Sequence, residues 1–141
     1  STPKTYAINL ITSGGMPSFT LNGGLFSMFD VAANEIARCG TLEVIRVTNT
    51  AGAMQIAHPI HFHGRQFQIL DRTVTAAGLA NWNTVKDGYN NSGWKDTFMI
   101  MPGETVRILL RHGSYPGLFL YHCHNLVHED MGMMRNFRLD P

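Results

Sequence analysis

The chain has 141 residues, about the size of one ordinary domain, and only 15% of them are charged. Eleven basic against ten acidic residues give a net charge of +1, which argues against the basic surface of a nucleic-acid-binding protein. Apolar residues (44%) suffice for a core, but no run of 18 would span a membrane. Seven histidines and eight methionines are many for this length, and they indicate metal binding.

Short runs in which apolar residues alternate with polar ones predict β-strands along the chain. In chain order these runs are 6–10, 42–47, 66–70, 105–110, 118–124 and 134–139. Glycine- and proline-rich turns such as Asn22-Gly23-Gly24 separate them. Residues 30–38 fit a short helix, and the polar segment 76–93 fits a long surface loop. We therefore predict an all-β sandwich or barrel that forms a single domain over residues 1–141.

The first of two histidine-rich strings is HPIHFH, residues 58–63. On a strand, residues two apart share a face of the sheet, and adjacent residues point to opposite faces. His61 and His63 are therefore expected on one face, with His58 on the other.

The second string is HCHNLVHEDMGMM, residues 122–134. By the same spacing His122 and His124 share a face, and Cys123 points the opposite way. If the strands of the two strings are neighbours, four histidines collect on one face and His58 joins Cys123 on the other. The loop that follows the strand can fold back and bring His128 and Met133 to Cys123.

Two imidazoles, a thiolate and a weak thioether are the ligand set of a blue, type 1 copper site that transfers single electrons. The four histidines of the opposite face fit half of a polynuclear copper site that binds and reduces O2. The tripeptide His122-Cys123-His124 would then join the two centres, with the metals on the order of 10–15 Å apart given the strand rise.

Other readings of these residues are open. Cys39 and Cys123 could form a disulfide, but the histidines beside Cys123 favour a ligand role and leave Cys39 as a buried thiol. His112 fits a surface or turn position. Four methionines are expected to fill the core: Met28, Met54, Met99 and Met101.

Both strings resemble the copper-binding signatures of the multicopper oxidases. FTLNGGLFSMFD near the start and GWKDTFMIMPGETVRILLRHGSYPGLFLYHCH later agree with the same family, so that the resemblance runs from about residue 17 to 141. It is strongest to the C-terminal cupredoxin domain of the bacterial laccase, spore-coat laccase and bilirubin oxidase branch. The resemblance implies a cupredoxin Greek-key β-sandwich that is the C-terminal domain of a larger oxidase.

The resemblance also assigns roles to single residues. The type 1 copper would be held by His58, Cys123 and His128, with Met133 as the axial ligand. His61 would bind the type 2 copper, and the type 3 pair would be held by His63, His122 and His124. Glu129 matches an acidic residue that relays protons to the oxygen site, and Asp96 would support a ligand from behind.

The implied activity is that of a laccase-like oxidase. Single electrons from a phenol, a tetrapyrrole or a metal ion would enter beside His128 or His58 and cross Cys123 to His122 and His124. Four electrons would reduce O2 to water. The family's trinuclear cluster takes eight histidines, so an N-terminal domain or another chain would supply the other half. Such enzymes are usually periplasmic or secreted, although no signal peptide is visible at the start of this sequence.

Two other functions compete with the oxidase. A stand-alone cupredoxin electron carrier would need only His58, Cys123, His128 and Met133, and it leaves the second histidine face without a purpose. A zinc hydrolase or cupin-type enzyme could use three histidines with Glu129 as the base, but it gives no role to a cysteine between two histidines.

Overall fold

The alternating segments form strands whose buried side chains meet between two sheets. The computed structural model describes residues 2–50, 54 and 56–141. Strands are numbered in chain order. The first sheet has the order β2-β1-β4-β8-β6 and consists of β1 (Lys4–Ser13), β2 (Met16–Leu21), β4 (Leu42–Asn49), β6 (Phe67–Val74) and β8 (Glu104–Arg111).

The second sheet has the order β3-β10-β9-β5-β7. It consists of β3 (Ile36–Arg38), β5 (His58–Phe62), β7 (Thr97–Ile100), β9 (Gly117–Cys123) and β10 (Met134–Asp140). The pairs β1–β4 and β3–β10 are parallel, and the other neighbours are antiparallel. The prediction of an all-β sandwich is confirmed.

The core lies between the inner faces of the sheets. Every second residue of β8 is buried, as in Val106, Ile108 and Leu110. The Tyr121 ring of β9 stacks on Phe62 from β5 with 5.2 Å between ring centroids, and it also stacks on Tyr6 from β1. β5 and β9, which carry the two histidine strings, are neighbours in this sheet, so the histidines of both strings can collect on one face.

Two predicted segments differ from the structure. Segment 76–93 contains the helix α1 (Leu79–Val85) between two short 3-10 turns instead of a continuous loop. Contacts with the neighbouring strand β6 hold this segment in place. The Arg72 guanidinium lies 4.3 Å from the Tyr89 ring centroid and donates a hydrogen bond to the Asn91 side chain. Residues 30–38 form a 3-10 turn followed by β3 instead of a helix, since β3 pairs with β10.

A second helix, α2 (Leu126–Asp130), follows β9. Within the described residues, neither helix approaches the length and apolar character needed to cross a lipid bilayer.

The burial of several single residues differs from the prediction. His112 is buried rather than on the surface, because its Nε2 lies 2.8 Å from the Glu43 carboxylate. Cys39 is half-buried and both cysteines are free thiols, which excludes the disulfide. Met101 is half-buried, whereas three methionines predicted for the core are exposed: Met28, Met54 and Met99. Met99 points outward because it falls between the two inward residues of β7.

Candidate metal centre

The first cluster of metal-ligating side chains lies on the inner face of the second sheet. Ile60 of β5 is paired with Cys123 of β9, which places His58 and Cys123 on the same face. Cys123 Sγ lies 3.6 Å from His58 Nδ1 and 3.5 Å from His128 Nδ1, and all three residues are buried. The spacing argument therefore placed His58 and Cys123 together correctly.

His128 reaches this cluster from a helix rather than from the predicted loop. The Asn125 side chain caps α2 by accepting a hydrogen bond from the Val127 N–H at 3.1 Å. One turn of helix then carries the His128 ring back to Cys123. The Phe19 ring of β2 packs against both imidazoles, at 4.6 Å from His58 and 4.8 Å from His128 between ring centroids.

Burial keeps the donor atoms of this cluster uncharged in the absence of a cation. Burial, with the neighbouring His128, lowers the pKa of His58 to about 4. Burial also lowers the pKa of His128. The pKa of the Cys123 thiol is raised to about 11 by burial, although the Asn125 N–H donates to its sulfur. A metal cation would offset this loss of hydration, because it accepts the lone pairs of the two imidazoles and displaces the thiol proton.

The distances suit one ion. Nitrogen and sulfur ligands bond a first-row metal at about 2.0–2.3 Å, so a trigonal site would set them about 3.5–4 Å apart. The observed separations of 3.5 Å and 3.6 Å fall at the short end of this range. Met133 is fully buried, its N–H donates to the His128 carbonyl, and its carbonyl accepts from the Cys123 N–H. The backbone thus ties Met133 to two members of the cluster.

A second cluster lies on the opposite face of the same sheet. His61 of β5 is directly opposite His122 of β9. His63, just beyond β5, brings its Nε2 to 2.9 Å from Nε2 of His122. One ligand atom from each of these three histidines lies within 4.8 Å of the others. The His124 ring is adjacent, with its centroid 5.1 Å from His122 and 5.6 Å from His61, but it is exposed and falls outside this tighter group.

Hydrogen bonds behind two of these rings orient them. His61 Nδ1 lies 2.9 Å from the Asp96 carbonyl and 3.0 Å from the Thr97 hydroxyl. His122 Nδ1 lies 3.0 Å from the Cys123 carbonyl and 3.2 Å from the Glu129 carboxylate. Because these partners contact Nδ1, the Nε2 atoms are left to face the cluster.

In this cluster the protonated form of the His63 ring is disfavoured. Burial is the main cause of the lowered pKa of His63, and its neighbours His122 and His61 add to it. A neutral imidazole is the form that binds metal.

The structure thus differs from the prediction in the supporting residues. Asp96 contacts His61 chiefly through its backbone carbonyl, since its carboxylate is 3.8 Å away from Nδ1. Thr97 was not singled out from the sequence, although its place opposite His61 in the β5–β7 register would have indicated it. The structure places Glu129 beside His122, as expected for a residue acting at this cluster.

Comparisons with known proteins agree on one family. The family described as "Multicopper oxidase" matches residues 2–141. A protein named "Laccase" from Haloferax volcanii is 37% identical over 123 residues, which cover 87% of this chain and 19% of that protein. A "Bilirubin oxidase" from Albifimbria verrucaria is 35% identical over 86% of this chain and 20% of its own length. The chain therefore spans about a fifth of these relatives.

Solved structures extend the similarity to the fold. A multi-copper oxidase from Pediococcus acidilactici is 33% identical, has a TM-score of 0.74, and is matched over 99% of this chain and 26% of its own. The McoA multicopper oxidase from Aquifex aeolicus is 28% identical with a TM-score of 0.70, over 100% of this chain and 30% of its own. These matches confirm the predicted cupredoxin β-sandwich.

Proposed function

This chain belongs to the multicopper oxidase family, and we propose that it is the C-terminal domain of a larger laccase-like oxidase, with residues 1–141 as one domain. Copper is the family's cofactor, as predicted. The observation that carries the proposal is the pair of clusters on opposite faces of one sheet, joined by His122-Cys123-His124. An electron carrier needs only the inner cluster, so the outer histidines favour an oxidase.

The residues divide between the metals by position. His58, Cys123 and His128 would hold type 1 copper, with Met133 as the axial ligand. The type 2 copper would be bound by His61, and the type 3 pair by His63, His122 and His124, with the remaining ligands of these ions supplied from elsewhere. When bound, the copper ions supply one-electron acceptance at the inner site and the reduction of O2 to water at the outer one.

Cys123 and His122 are the link between the clusters. From the Cys123 sulfur a covalent path runs through the residue's own carbonyl, which accepts the His122 Nδ1–H at 3.0 Å. This hydrogen bond replaces several backbone bonds on the way to the His122 ring. Cys123 therefore belongs to both sites: its side chain faces inward and its carbonyl contacts a ring of the outer face.

Glu129 is placed to hold a proton beside the outer cluster. Its carboxylate lies 3.2 Å from His122 Nδ1 and is about a quarter exposed, so it contacts both the cluster and solvent. We assign it the relay of protons toward the oxygen site.

The reducing substrate would approach the surface over His128. That ring is almost buried, and its two predecessors on α2, Leu126 and Val127, expose apolar side chains around it. Between a small phenol, tetrapyrrole or metal ion bound there and a type 1 copper, the His128 imidazole would be the only intervening group. The specificity among these substrates belongs to the complete enzyme, whose periplasmic or secreted location we infer from the family.

The other half of the trinuclear cluster must come from outside this chain. In the part of the chain that the structure describes, two histidine pairs face outward, and the chain spans about a fifth of the curated relatives. An N-terminal oxidase domain is the partner that fits, with a separate chain as the other source.

The proposal is tested by copper loading of the chain. We expect one blue copper per chain, an intense visible band and a type 1 EPR spectrum, and no sustained uptake of O2 with a phenolic reductant. Cys123→Ser should abolish the band, whereas the matched variant Cys39→Ser should keep it. A chain that stays colourless with Cu(II), or a Cys123→Ser variant that stays blue, would refute the assignment. Sustained O2 uptake by the chain alone would overturn the need for a partner.

A further inference from the structure

The ring of His61 is held from behind by two oxygens of consecutive residues. We propose that Thr97 and Asp96 form a positioning pair that fixes His61 in the tautomer with its proton on Nδ1, leaving the Nε2 lone pair toward the outer cluster. The role of that lone pair as a metal ligand rests on the proposed function, whereas the tautomer itself is a property of the metal-free chain.

The first oxygen is a pure acceptor. The Asp96 carbonyl lies 2.9 Å from His61 Nδ1 and also accepts the Phe62 N–H at 3.1 Å. A carbonyl has two lone pairs and no proton, so both contacts require a donor on the other side. The backbone bond from Phe62 fixes the carbonyl in place, and the His61 ring must donate to it from Nδ1.

The second oxygen becomes an acceptor because of the Asp96 side chain. The Thr97 hydroxyl can donate one hydrogen bond, and it has two candidate acceptors: His61 Nδ1 at 3.0 Å and the Asp96 carboxylate at 2.9 Å. The carboxylate is the stronger acceptor because it is charged. With its proton directed to Asp96, the hydroxyl presents a lone pair to His61.

The sheet register makes this arrangement rigid. Thr97 is the first residue of β7 and lies directly opposite His61 in the β5–β7 ladder. Asp96 precedes the strand, and its carboxylate, 61% exposed, stays 3.8 Å from His61 Nδ1. The Asp96 carboxylate therefore acts on the His61 ring mainly through the Thr97 hydroxyl. The opposite tautomer would break the bond to the Asp96 carbonyl and direct an N–H at His63 and His122.

The test reads the His61 tautomer directly in the metal-free chain. Long-range 1H–15N correlation spectra of the 15N-labelled chain, at about pH 8 where an ordinary imidazole is neutral, distinguish a protonated from an unprotonated ring nitrogen. We expect His61 Nδ1 to be protonated. Thr97→Val should raise the ratio of the Nε2–H to the Nδ1–H tautomer roughly fivefold, the effect of one lost hydrogen bond. Thr97→Ser should leave it unchanged, as should the control Thr73→Val on the exposed side of β6.

The Asp96 carboxylate is tested by a double-variant cycle. In Asp96→Ala the Thr97 hydroxyl is free to donate to Nδ1, so the tautomer ratio should rise at least as much as in Thr97→Val. In the double variant, Asp96→Ala should add little to Thr97→Val, because no hydroxyl remains to be oriented.

Three results would overturn the inference: Nε2 of His61 protonated in the unmodified chain, a tautomer ratio unmoved by Thr97→Val, or additive effects of the two substitutions. The failure of the proposed function looks different, since a chain that binds no copper would keep the same tautomer and the same cycle.

Discussion

We expect the substitution Glu35→Gln to lower the free energy of unfolding by about 3–5 kcal/mol, the cost of breaking a buried ion pair. Glu35 lies at the end of the 3-10 turn before β3, and its side chain is fully buried. Oε1 accepts hydrogen bonds from Tyr121 at 2.6 Å, Asn22 at 2.9 Å and Arg135 at 3.0 Å. Oε2 accepts from the Ala32 N–H at 2.6 Å and from Arg135 at 2.8 Å.

The magnitude follows from the donors around the carboxylate. All five contacts donate to Glu35, so a glutamine must turn its own NH2 group toward other donors at one of the two positions. The Arg135 guanidinium, whose side chain is only 6% exposed, keeps a single acidic partner in the largely exposed Asp30. For a chain of this size, the loss corresponds to a fall in Tm of roughly 10–20 °C.

Urea unfolding at neutral pH, followed by circular dichroism, measures the effect. Asp140→Asn is the matched control, because Asp140 pairs with another arginine of β10, Arg138, but both side chains are more than 40% exposed. Its cost should be much smaller than that of Glu35→Gln, because water screens an exposed ion pair. Equal losses in the two variants would refute the reasoning, since burial would then have no influence on the value of the pair.

The same carboxylate predicts a pH dependence. Burial opposes the ionisation of Glu35, but hydrogen bonds from Arg135, Tyr121 and Asn22 outweigh it and hold its pKa below the ordinary value. A carboxyl with a lower pKa in the folded state stabilises the fold above its unfolded pKa, about 4.3 for Glu, and this stability is lost as the pH falls through the folded pKa. The Glu35→Gln variant should lack this acidic decline. A decline of the same size in both proteins would contradict the assignment to Glu35.

Two further substitutions test single features. Met133→Leu should raise the reduction potential of the copper-loaded chain, because the thioether no longer donates to Cu(II), and redox titration of the blue band measures it; an unchanged potential would mean that Met133 only packs. Gly103→Ala should cost about 2–3 kcal/mol in urea unfolding, because Gly103 has φ +75° and a Cβ there would meet the Thr75 hydroxyl at 2.6 Å. Gly88→Ala, with open space around it, is the control and should be neutral.

Local patterns were sufficient for six strands (β1, β4, β6, β8, β9 and β10) and for the sharing of faces, whereas β2, β3 and β7 were not predicted. Alternation in 105–110 and 134–139 predicted β8 and β10 to within a residue at each end. The positions of His58 and His61 on opposite faces follow from strand geometry alone, without knowledge of the partner strand. The pairing of β5 with β9 was assumed rather than derived, because it joins residues about 60 apart in the sequence.

Features that depend on contacts between residues distant in the sequence were not predicted. His112 looks like a turn residue locally, and its burial comes from contacts distant in the sequence, with the Glu43 carboxylate of β4 and the Phe137 ring of β10. The helix α1 is too short for its apolar spacing to stand out, and Arg72 and Tyr89 hold its segment to the sheet. Thr97 was missed for the same reason, since a threonine acquires its role only from the register that sets it opposite His61.

The strand register also explains why two sites with different chemistry can share one tripeptide. A site with a thiolate ligand and a site made only of histidines have to be separated, yet joined by few bonds. Adjacent strand residues provide this because their side chains leave opposite faces of the sheet. The pairs Ile60–Cys123 and His61–His122 fix the register, which brings Cys123 to the inner cluster and His122 to the outer one. A slip of β9 by one residue would exchange the faces and place His122 in the apolar core and Cys123 outside. The fully buried partners of this register, Ile60, Phe62 and Tyr121, oppose such a slip, so the packing of the core and the separation of the two metal sites depend on the same pairing.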